Sequence, residues 1–287
     1  HSIFDKMKEE NIVNFLDQLK TMGVFCIVLT GGEPFLNVNV SRFISIATEM
    51  NFVLEIFSNL QKIPSWLINN DVNKFRIGRF QTSIYSVRDC THDLVTRQHG
   101  SLQRTLRNLF ILRDKGWCVE VATPLMKFNY DERNEIKEFF SYHNISQNFA
   151  WPIVNEYCNK NSRKSDLNIT PDQFAKFSFE NKDFIIETNS SKKDACICEA
   201  GKALISIKSN GDVYPCSQLP LVVGNVTEQN IAAIYNSVKM KQVAFLKNKQ
   251  IGKEKTYNYC IGTNYAETGN FFQEPDYVLA SIDKALE

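Results

Sequence analysis

Apolar residues in the first half of the chain alternate between helical spacing and short continuous runs. Apolar positions roughly three or four residues apart mark amphipathic helices, whereas a run of about four to eight apolar residues bounded by turns marks a buried strand. By these criteria, helices are predicted at about 3–22, 40–50, 64–70, 102–115 and 131–142, and strands at about 24–29, 52–57, 79–85, 117–125 and 148–154.

Strands and helices that alternate with short connections are typical of a parallel α/β sheet or barrel. Five strands are too few to close such a barrel, so the predicted fold is α/β, a partial (β/α) barrel of about five to six parallel strands. Ligands of these folds bind at the carboxyl ends of the strands. The most distinctive residues fall there: Gly31-Gly32-Glu33, Ser58-Asn59, Ser83 to Tyr85, and Met126-Lys127.

The composition changes after the fifth predicted strand. Residues 155–195 are rich in Asn, Lys and Ser and are predicted to form a linker or surface excursion with one helix, which begins at Thr170-Pro171. Residues 196–287 are predicted to form a small α+β domain. Its expected features are a hairpin that turns at Asn210-Gly211 and one helix over about 227–248.

Composition and charge exclude several classes of protein. Hydrophobic residues make up 43% and charged residues 23% of the chain, as in an ordinary globular protein. A net charge of +1 gives no electrostatic reason to expect nucleic acid or an anionic membrane as partner. No apolar run approaches the roughly 20 residues that span a bilayer, and His1-Ser2-Ile3 does not begin a signal peptide. A cytoplasmic protein is therefore expected.

Four of the eight cysteines lie in the last third of the chain, at Cys196, Cys198, Cys216 and Cys260. Without a secretory signal, clustered thiols favour metal binding over disulfides. A hairpin that turns at Gly211 would return Cys216 toward Cys198, although buried structural cysteines without metal remain an alternative. Two other cysteines, Cys26 and Cys118, lie in apolar runs and are expected to be buried core thiols.

Gly31 and Gly32 stand between a predicted strand and a predicted helix. Neither has a Cβ, so the backbone can come close to a ligand. Glu33 then places a carboxylate beside this backbone, and Pro34 fixes the exit of the turn. On these residues alone, a tight β–α turn with a capping Glu is the plainer interpretation.

The full string Thr30-Gly31-Gly32-Glu33-Pro34-Phe35-Leu36 resembles the second-strand motif of radical S-adenosylmethionine (SAM) enzymes. Further segments resemble that family in the same order: Ser58-Asn59, Gln81 to Tyr85, His92-Asp93 and Gly100-Ser101. The resemblance implies that the SAM methionine group is held by Gly31, Gly32, Glu33 and Pro34. It also implies that Ser58 and Asn59 face the SAM ribose and that Ser83 and Arg97 bind other polar groups of SAM. The alternatives are a strand end at Ser83 and a surface charge at Arg97.

The spacing Cys198-x12-Gly211-x4-Cys216 resembles the opening of a SPASM or shorter twitch domain, which carries auxiliary four-iron clusters. The segment from Tyr259-Cys260 resembles its closing part. A full SPASM domain has later cysteines where this chain has Thr263, Gly269 and Gln273. The resemblance therefore implies one auxiliary 4Fe-4S cluster, with Cys196, Cys198, Cys216 and Cys260 as its ligands.

The Cys-x3-Cys-x2-Cys motif that holds the SAM-cleaving cluster of this family does not occur in the 287 residues. The chain starts at what resembles the helix after that motif, so the first strand is also expected to be missing. Either the chain given begins late, or a natural homologue has lost the cluster. An exposed sheet edge is usually avoided, which favours a missing segment.

The resemblance implies three regions: a SAM-binding partial barrel over 1–154, the excursion over 155–195 and an auxiliary cluster domain over 196–287. It further implies an oxidoreductase-like radical SAM enzyme that receives electrons from a donor such as ferredoxin or flavodoxin. Its 5′-deoxyadenosyl radical would modify a peptide or protein side chain, forming a thioether or carbon–carbon crosslink in ribosomal peptide maturation. The alternatives are maturation of a small cofactor or haem precursor, and an inactive homologue that binds peptide or SAM.

Overall fold

The computed structural model describes residues 9–154, 164–181, 196–247 and 260–286. The chain divides into two compact units, His1–Trp151 and Pro152–Glu287, and each is described by itself. The predicted helical residues 3–8 and the excursion residues 155–163 and 182–195 lie outside the described parts. None of the described helices is both long and apolar enough to cross a lipid bilayer.

The first unit is built on one parallel sheet of five strands, arranged in the order β1-β2-β3-β4-β5. The strands are β1 (Cys26–Leu29), β2 (Val53–Phe57), β3 (Ile77–Ser83), β4 (Val119–Pro124) and β5 (Ser146–Ala150). All four neighbouring pairs are parallel, so the predicted α/β fold with about five parallel strands is confirmed.

Six helices connect or flank these strands in the described part of the first unit. They are α1 (Glu9–Thr21), α2 (Val40–Glu49), α3 (Ser65–Asn69), α4 (Asp89–Thr96), α5 (Ser101–Asp114) and α6 (Arg133–Tyr142). Short 3-10 helices occupy Pro34–Leu36, Val72–Lys74 and Tyr130–Glu132. The helices predicted from apolar spacing are therefore present, with ends that shift by a few residues.

The two faces of the sheet differ in polarity. Leu54, Ile56 and Phe80 are fully buried on one face, where α2 packs against β2 and α5 against β4. The alternate positions carry charge, because Arg79 pairs with Glu55 (2.9 Å) and with Glu120. Successive residues of a strand point to opposite faces, so the alternation of the sequence produces one apolar face and one charged face.

The second unit contains three short antiparallel strands and five described helices. The strands are β6 (Ser206–Ile207), β7 (Asp212–Tyr214) and β8 (Gly224–Asn225), and the helices are α7 (Pro171–Glu180), α8 (Ile231–Tyr235), α9 (Val238–Ala244), α10 (Ile261–Thr268) and α11 (Asp276–Leu286). The hairpin at Asn210-Gly211 is confirmed, and Gly211 has the positive φ of 91° that favours glycine. The predicted helix start at Thr170-Pro171 is also confirmed, since Thr170 caps α7 as part of a capping box, and α7 packs against α11.

The prediction of one helix over about 227–248 is wrong. Two helices occupy this segment: α8 ends at Tyr235, with Asn236 as its C-cap, and α9 begins after Ser237. The Ser237 hydroxyl accepts a hydrogen bond from the Met240 N–H at 3.2 Å. Serine favours the position before a helix because its side chain satisfies a backbone donor there, so the helix stops and restarts at this residue.

The expectation that Cys26 and Cys118 are buried core thiols is also wrong. Cys118 is exposed, whereas its neighbours Trp117 and Val119 are buried, because alternate residues of an extended segment face opposite sides. Cys26 is only partly buried and lies near Glu55. Neither cysteine side chain is therefore part of the buried core.

His92 of α4 hydrogen-bonds to the turn after β3. Its imidazole is buried, and Nδ1 accepts a hydrogen bond from the Tyr85 N–H at 3.2 Å. Burial lowers the pKa of His92 below its ordinary value, although the nearby Asp93 and Asp89 charges act in the opposite direction. The folded state thus holds this ring neutral.

We expect the stability of the protein to fall as the pH drops below about 6.5, because the unfolded His92 takes up a proton at a higher pH than the folded one. The stabilisation from neutral His92 is complete above that pH and is lost below it. Denaturant unfolding between pH 7.5 and 5.5 measures the effect. His92→Gln should flatten this decline, whereas His99→Gln, which removes an exposed ring, should retain it. A decline that His92→Gln leaves unchanged contradicts the assignment.

Candidate functional site

The backbone at Gly31 and Gly32 faces open space at the carboxyl end of β1. A Cβ at either position would meet no atom within 4 Å. Gly31 has a φ of 126°, which side chains rarely allow. The two glycines therefore leave backbone groups accessible to a ligand at the strand end.

The Glu33 carboxylate joins the ends of β1 and β2. It accepts a hydrogen bond from the Phe35 N–H at 3.1 Å, which caps the 3-10 helix that begins at the buried Pro34. Its Oε1 also accepts the Ser58 hydroxyl at 2.8 Å, and its Oε2 accepts the Asn59 N–H at 2.8 Å. The structure thus brings three predicted site residues, Glu33, Ser58 and Asn59, into one group.

A carboxylate has about four acceptor positions, and an ionised one prefers charged donors. Within the described part of the chain, three donors reach the Glu33 carboxylate. Capacity therefore remains for one more donor, and an ammonium group suits it in charge and in hydrogen-bonding ability. This chemistry fits the amino group of an amino-acid ligand.

Side chains of α5 hydrogen-bond to the backbone of the turn after β2. The Thr105 hydroxyl donates to the Asn59 carbonyl at 2.9 Å, and the Asn108 amide donates to the Leu60 carbonyl at 2.7 Å. The Gln61 amide reaches the Thr105 hydroxyl at 2.6 Å. Sequence reasoning missed these residues. A signal existed, since Thr105 and Asn108 are polar residues three positions apart on the apolar face of a helix.

Asp93 anchors the start of α5. Its carboxylate accepts hydrogen bonds from the Gly100 and Ser101 N–H groups at 2.5 and 3.1 Å and from the Ser101 hydroxyl at 2.8 Å, and a fourth from the Leu102 N–H at 3.2 Å. Burial acts to raise the pKa of Asp93, but these hydrogen bonds outweigh it and hold the pKa below its usual value. The segments His92-Asp93 and Gly100-Ser101 therefore form a helix cap.

The two remaining predicted residues, Ser83 and Arg97, are both exposed. Ser83 ends β3 next to the turn after β2, where the Ser58 N–H donates to the Gln81 carbonyl at 3.0 Å. Arg97 ends α4 with a φ of 57°. The described contacts do not join either side chain to Glu33, so their roles toward a ligand stay predictions.

In the second unit, Cys198 and Cys216 pack against one apolar cluster. The cluster consists of Ala200, Leu219, Val243 and Ile261. The backbone N–H of Ala200 acts to lower the pKa of Cys198, and the backbone N–H groups of Gln218 and Leu219 act to lower the pKa of Cys216. Hydrogen bonds from backbone N–H groups to sulfur favour the thiolate form, which is the form that binds metals.

Cys260 stands at the start of α10 and accepts the Thr263 N–H at 3.4 Å. Gly262, two residues on, lies so close to Gln218 that a Cβ would stand 2.9 Å from the Gln218 backbone. Only glycine permits this approach. It brings the helix start that carries Cys260 against the segment that follows Cys216.

Burial raises the pKa of both the Cys198 and the Cys216 thiol. The backbone donors lower it, and the neighbouring thiols raise it further: Cys260 and Cys196 act on Cys198, and Cys260 and Cys198 act on Cys216. The four predicted ligands are therefore electrostatic neighbours, and all four are free thiols.

Among the described residues, no three His, Cys, Asp or Glu side chains converge closely enough to bind a single metal ion. A cluster of four irons holds its ligands farther apart than one ion does. Free thiols that influence one another's pKa beside backbone N–H donors fit that larger group, since iron–sulfur clusters are held by cysteine thiolates with hydrogen-bonded sulfurs.

Residues 196–262 match the SPASM family, described as an iron–sulfur cluster-binding domain. Two curated proteins are similar over most of the chain. An AdoMet-dependent heme synthase of Methanosarcina barkeri is 23% identical, over 93% of this chain and 85% of its own length. The subtilosin biosynthesis protein AlbA of Bacillus subtilis is 25% identical over 77% of this chain, which spans about half (51%) of AlbA.

Solved structures share the fold at low identity. The anSMEcpe structure with bound AdoMet and the Cp18Cys peptide has a TM-score of 0.71 at 15% identity, covering 98% of this chain and 88% of its own. Streptococcus suis SuiB bound to its precursor peptide SuiA has a TM-score of 0.68 at 15% identity, covering 93% and 67%. The domain match and the shared fold agree with the predicted SAM and 4Fe-4S cofactors. Residues 196–262 therefore match the SPASM domain predicted for the C-terminal part, and the fold is shared with solved structures that contain bound AdoMet.

Proposed function

We propose that this protein uses SAM-derived radical chemistry to modify a side chain of a peptide or protein, forming a thioether or carbon–carbon crosslink in a ribosomal peptide. The observation that carries the proposal is the Glu33 carboxylate. Ser58 and Asn59 fix it at the carboxyl edge of the sheet, and it keeps capacity for an ammonium group. A SPASM domain follows in the same chain.

Several relatives support a peptide substrate. Structures that share the fold include anSMEcpe and SuiB with bound peptides, and AlbA is a bacteriocin biosynthesis protein. Fold-level likeness is a weaker argument than a site, so the substrate class is inferred by analogy.

In the proposed complex, Glu33 accepts the amino group of SAM while the open backbone at Gly31 and Gly32 allows the methionine moiety to come close. Ser58 and Asn59 keep the carboxylate aimed at that group. A four-iron cluster, for which these 287 residues contain no Cys-x3-Cys-x2-Cys motif, would supply the electron for reductive cleavage of SAM, and a donor such as ferredoxin or flavodoxin would deliver that electron.

The SPASM thiols are proposed to hold one auxiliary 4Fe-4S cluster, with Cys196, Cys198, Cys216 and Cys260 as ligands. Their backbone donors stabilise thiolate, and hydrogen bonds to sulfur also tune the reduction potential of such clusters.

Maturation of a haem precursor is a second candidate. It is favoured by the heme synthase of Methanosarcina barkeri, which matches this chain over more of its own length (85%) than AlbA does (51%). A polar peptide and a tetrapyrrole differ in size and in charge, so a direct comparison of substrates separates the two candidates.

We expect Glu33→Gln to weaken SAM binding by the full-length, cluster-loaded protein about tenfold or more, because an amide replaces the charged partner of the SAM ammonium. Equilibrium dialysis with labelled SAM measures this affinity, and 5′-deoxyadenosine formation reports the consequence. Glu49→Gln, at the exposed end of α2, is the matched control and should behave like the unsubstituted protein. Equal affinities for both variants would remove Glu33 from the SAM site.

We expect Cys198→Ala and Cys216→Ala each to remove the auxiliary cluster, which lowers the content of the full-length protein by about four irons and four sulfides. Iron and sulfide analysis of anaerobically prepared protein measures the loss, and electron paramagnetic resonance shows which cluster signal disappears. Cys90→Ala, which removes an exposed thiol of α4, is the control. An unchanged iron content in both Cys198→Ala and Cys216→Ala would indicate structural thiols that bind no metal.

We expect full-length protein, incubated without oxygen with SAM and a low-potential reductant, to form 5′-deoxyadenosine when a precursor peptide is added. Mass spectrometry should show that the peptide loses two hydrogen atoms for each crosslink formed. Haem precursors are offered in parallel. Turnover with the tetrapyrrole alone would select the second candidate, and no turnover with either substrate would indicate an inactive homologue.

A further inference from the structure

The turn after β2 contains a leucine in a backbone conformation that leucine rarely adopts. Leu60 has a φ of 51° and its side chain is completely buried. A left-handed conformation brings the Cβ too close to the following carbonyl oxygen, so glycine, asparagine and aspartate are the usual residues there. A bulky apolar residue keeps such a conformation only where its surroundings impose it.

Two hydrogen bonds impose it at Leu60. The Leu60 N–H donates to the Ser58 hydroxyl oxygen at 3.0 Å, and the Leu60 carbonyl accepts the Asn108 amide at 2.7 Å. Asn108 lies inside α5 with only 5% of its surface exposed. Both peptide groups that flank the strained φ angle are therefore fixed, one by the turn itself and one by the helix behind it.

The same turn aims its donors at Glu33. The Ser58 hydroxyl that accepts from Leu60 donates to Glu33 Oε1, and the Asn59 N–H donates to Glu33 Oε2. If Leu60 relaxed to a negative φ, the Asn59–Leu60 peptide would rotate. The hydrogen bond to Ser58 would then break, together with the one that Thr105 donates to the Asn59 carbonyl.

Asn108 is a buried polar side chain among the apolar residues of α5. A buried amide costs free energy unless it is hydrogen-bonded, and a leucine at this position of an apolar helix would pack without that cost. The Asn108 amide donates a hydrogen bond to the Leu60 carbonyl. This carbonyl belongs to a buried left-handed turn and would lose that hydrogen bond if Asn108 were replaced by leucine. Asn108 thus makes the conformation of the turn possible.

We propose that Asn108 is a positioning residue for SAM: it holds Leu60 in the left-handed conformation and so aims Ser58 and Asn59 at the Glu33 carboxylate. The binding half of this inference rests on the proposed function of Glu33. The conformational half does not, because it concerns only contacts within the chain. The two halves therefore need separate measurements.

Hydrogen exchange of the ligand-free protein tests the conformational half. Asn108→Leu keeps the size of the side chain and removes the amide, so the Asn59 and Leu60 amides should exchange about tenfold faster or more. Asn168→Leu is the matched control, because the Asn168 amide donates to the Ile153 carbonyl (2.7 Å) in the other unit. It should leave the exchange of Asn59 and Leu60 unchanged. If Asn108→Leu does not fold, Asn108→Ala replaces it.

SAM affinity of the full-length, cluster-loaded protein tests the binding half. Asn108→Leu should weaken SAM binding about tenfold, whereas Asn168→Leu should change it less than about twofold. Leu60→Gly removes a completely buried side chain and lowers the melting temperature, so SAM affinity is measured well below that temperature. Under those conditions, adding Leu60→Gly to Asn108→Leu should recover part of the lost affinity, because glycine adopts a positive φ without help. A residue that only stabilises α5 would lower the melting temperature and show no such rescue.

Each outcome decides between the alternatives. Faster exchange at Asn59 and Leu60, weaker SAM binding and rescue by Leu60→Gly support the proposal in full. Unchanged exchange in Asn108→Leu overturns it. Faster exchange with unchanged SAM affinity keeps the turn mechanism and removes its link to the ligand. If the unsubstituted protein fails to bind SAM while the exchange result holds, the proposed function fails and the binding half fails with it.

Discussion

The Glu33 carboxylate is the constraint on which the rest of the first unit depends. Its side chain accepts hydrogen bonds from the segments that follow β1 and β2, through Phe35, Ser58 and Asn59. Hydrogen bonds to a carboxylate are stronger than those between neutral groups, so this contact sets how the two strand ends lie relative to each other. The ligand-facing backbone at Gly31 and Gly32 is positioned as a result.

Support for Glu33 extends outward through α5. Asp93 fixes the first turn of this helix through four hydrogen bonds, and the helix in turn presents Thr105 and Asn108 to the turn that contacts Glu33. The apolar face of α5 keeps the helix against the sheet, because Leu102, Leu109 and Leu112 are completely buried. Hydrophobic packing thus fixes the distance between helix and sheet, while polar contacts fix the conformation of the turn.

Sequence patterns predicted the strands and most helices because apolar runs and spacing reflect burial directly. Sequence patterns failed where a local capping signal competed with the apolar spacing. Apolar residues at helical spacing lie on both sides of Asn236 and Ser237, but Ser237 caps a new helix. The contacts of Asn108 could not be predicted, because they depend on which side of α5 meets the end of β2. The SAM-site residues were inferred from a resemblance, and the structure adds that Glu33, Ser58 and Asn59 are in contact.

The cysteines of the second unit differ electrostatically from the hydrogen-bonded group around Glu33. Burial of Cys198 and Cys216 disfavours thiolate, and neighbouring thiols disfavour it further, while backbone N–H donors favour it. Neutral core cysteines would need no such donors, because a thiol is only a weak hydrogen-bonding group. The backbone N–H groups beside the partly buried Cys198 and Cys216 are the contribution that suits the thiolate ligands of the cluster we propose. The close approach at Gly262 then has a reason, because it brings the helix that starts at Cys260 to the segment beside Cys216.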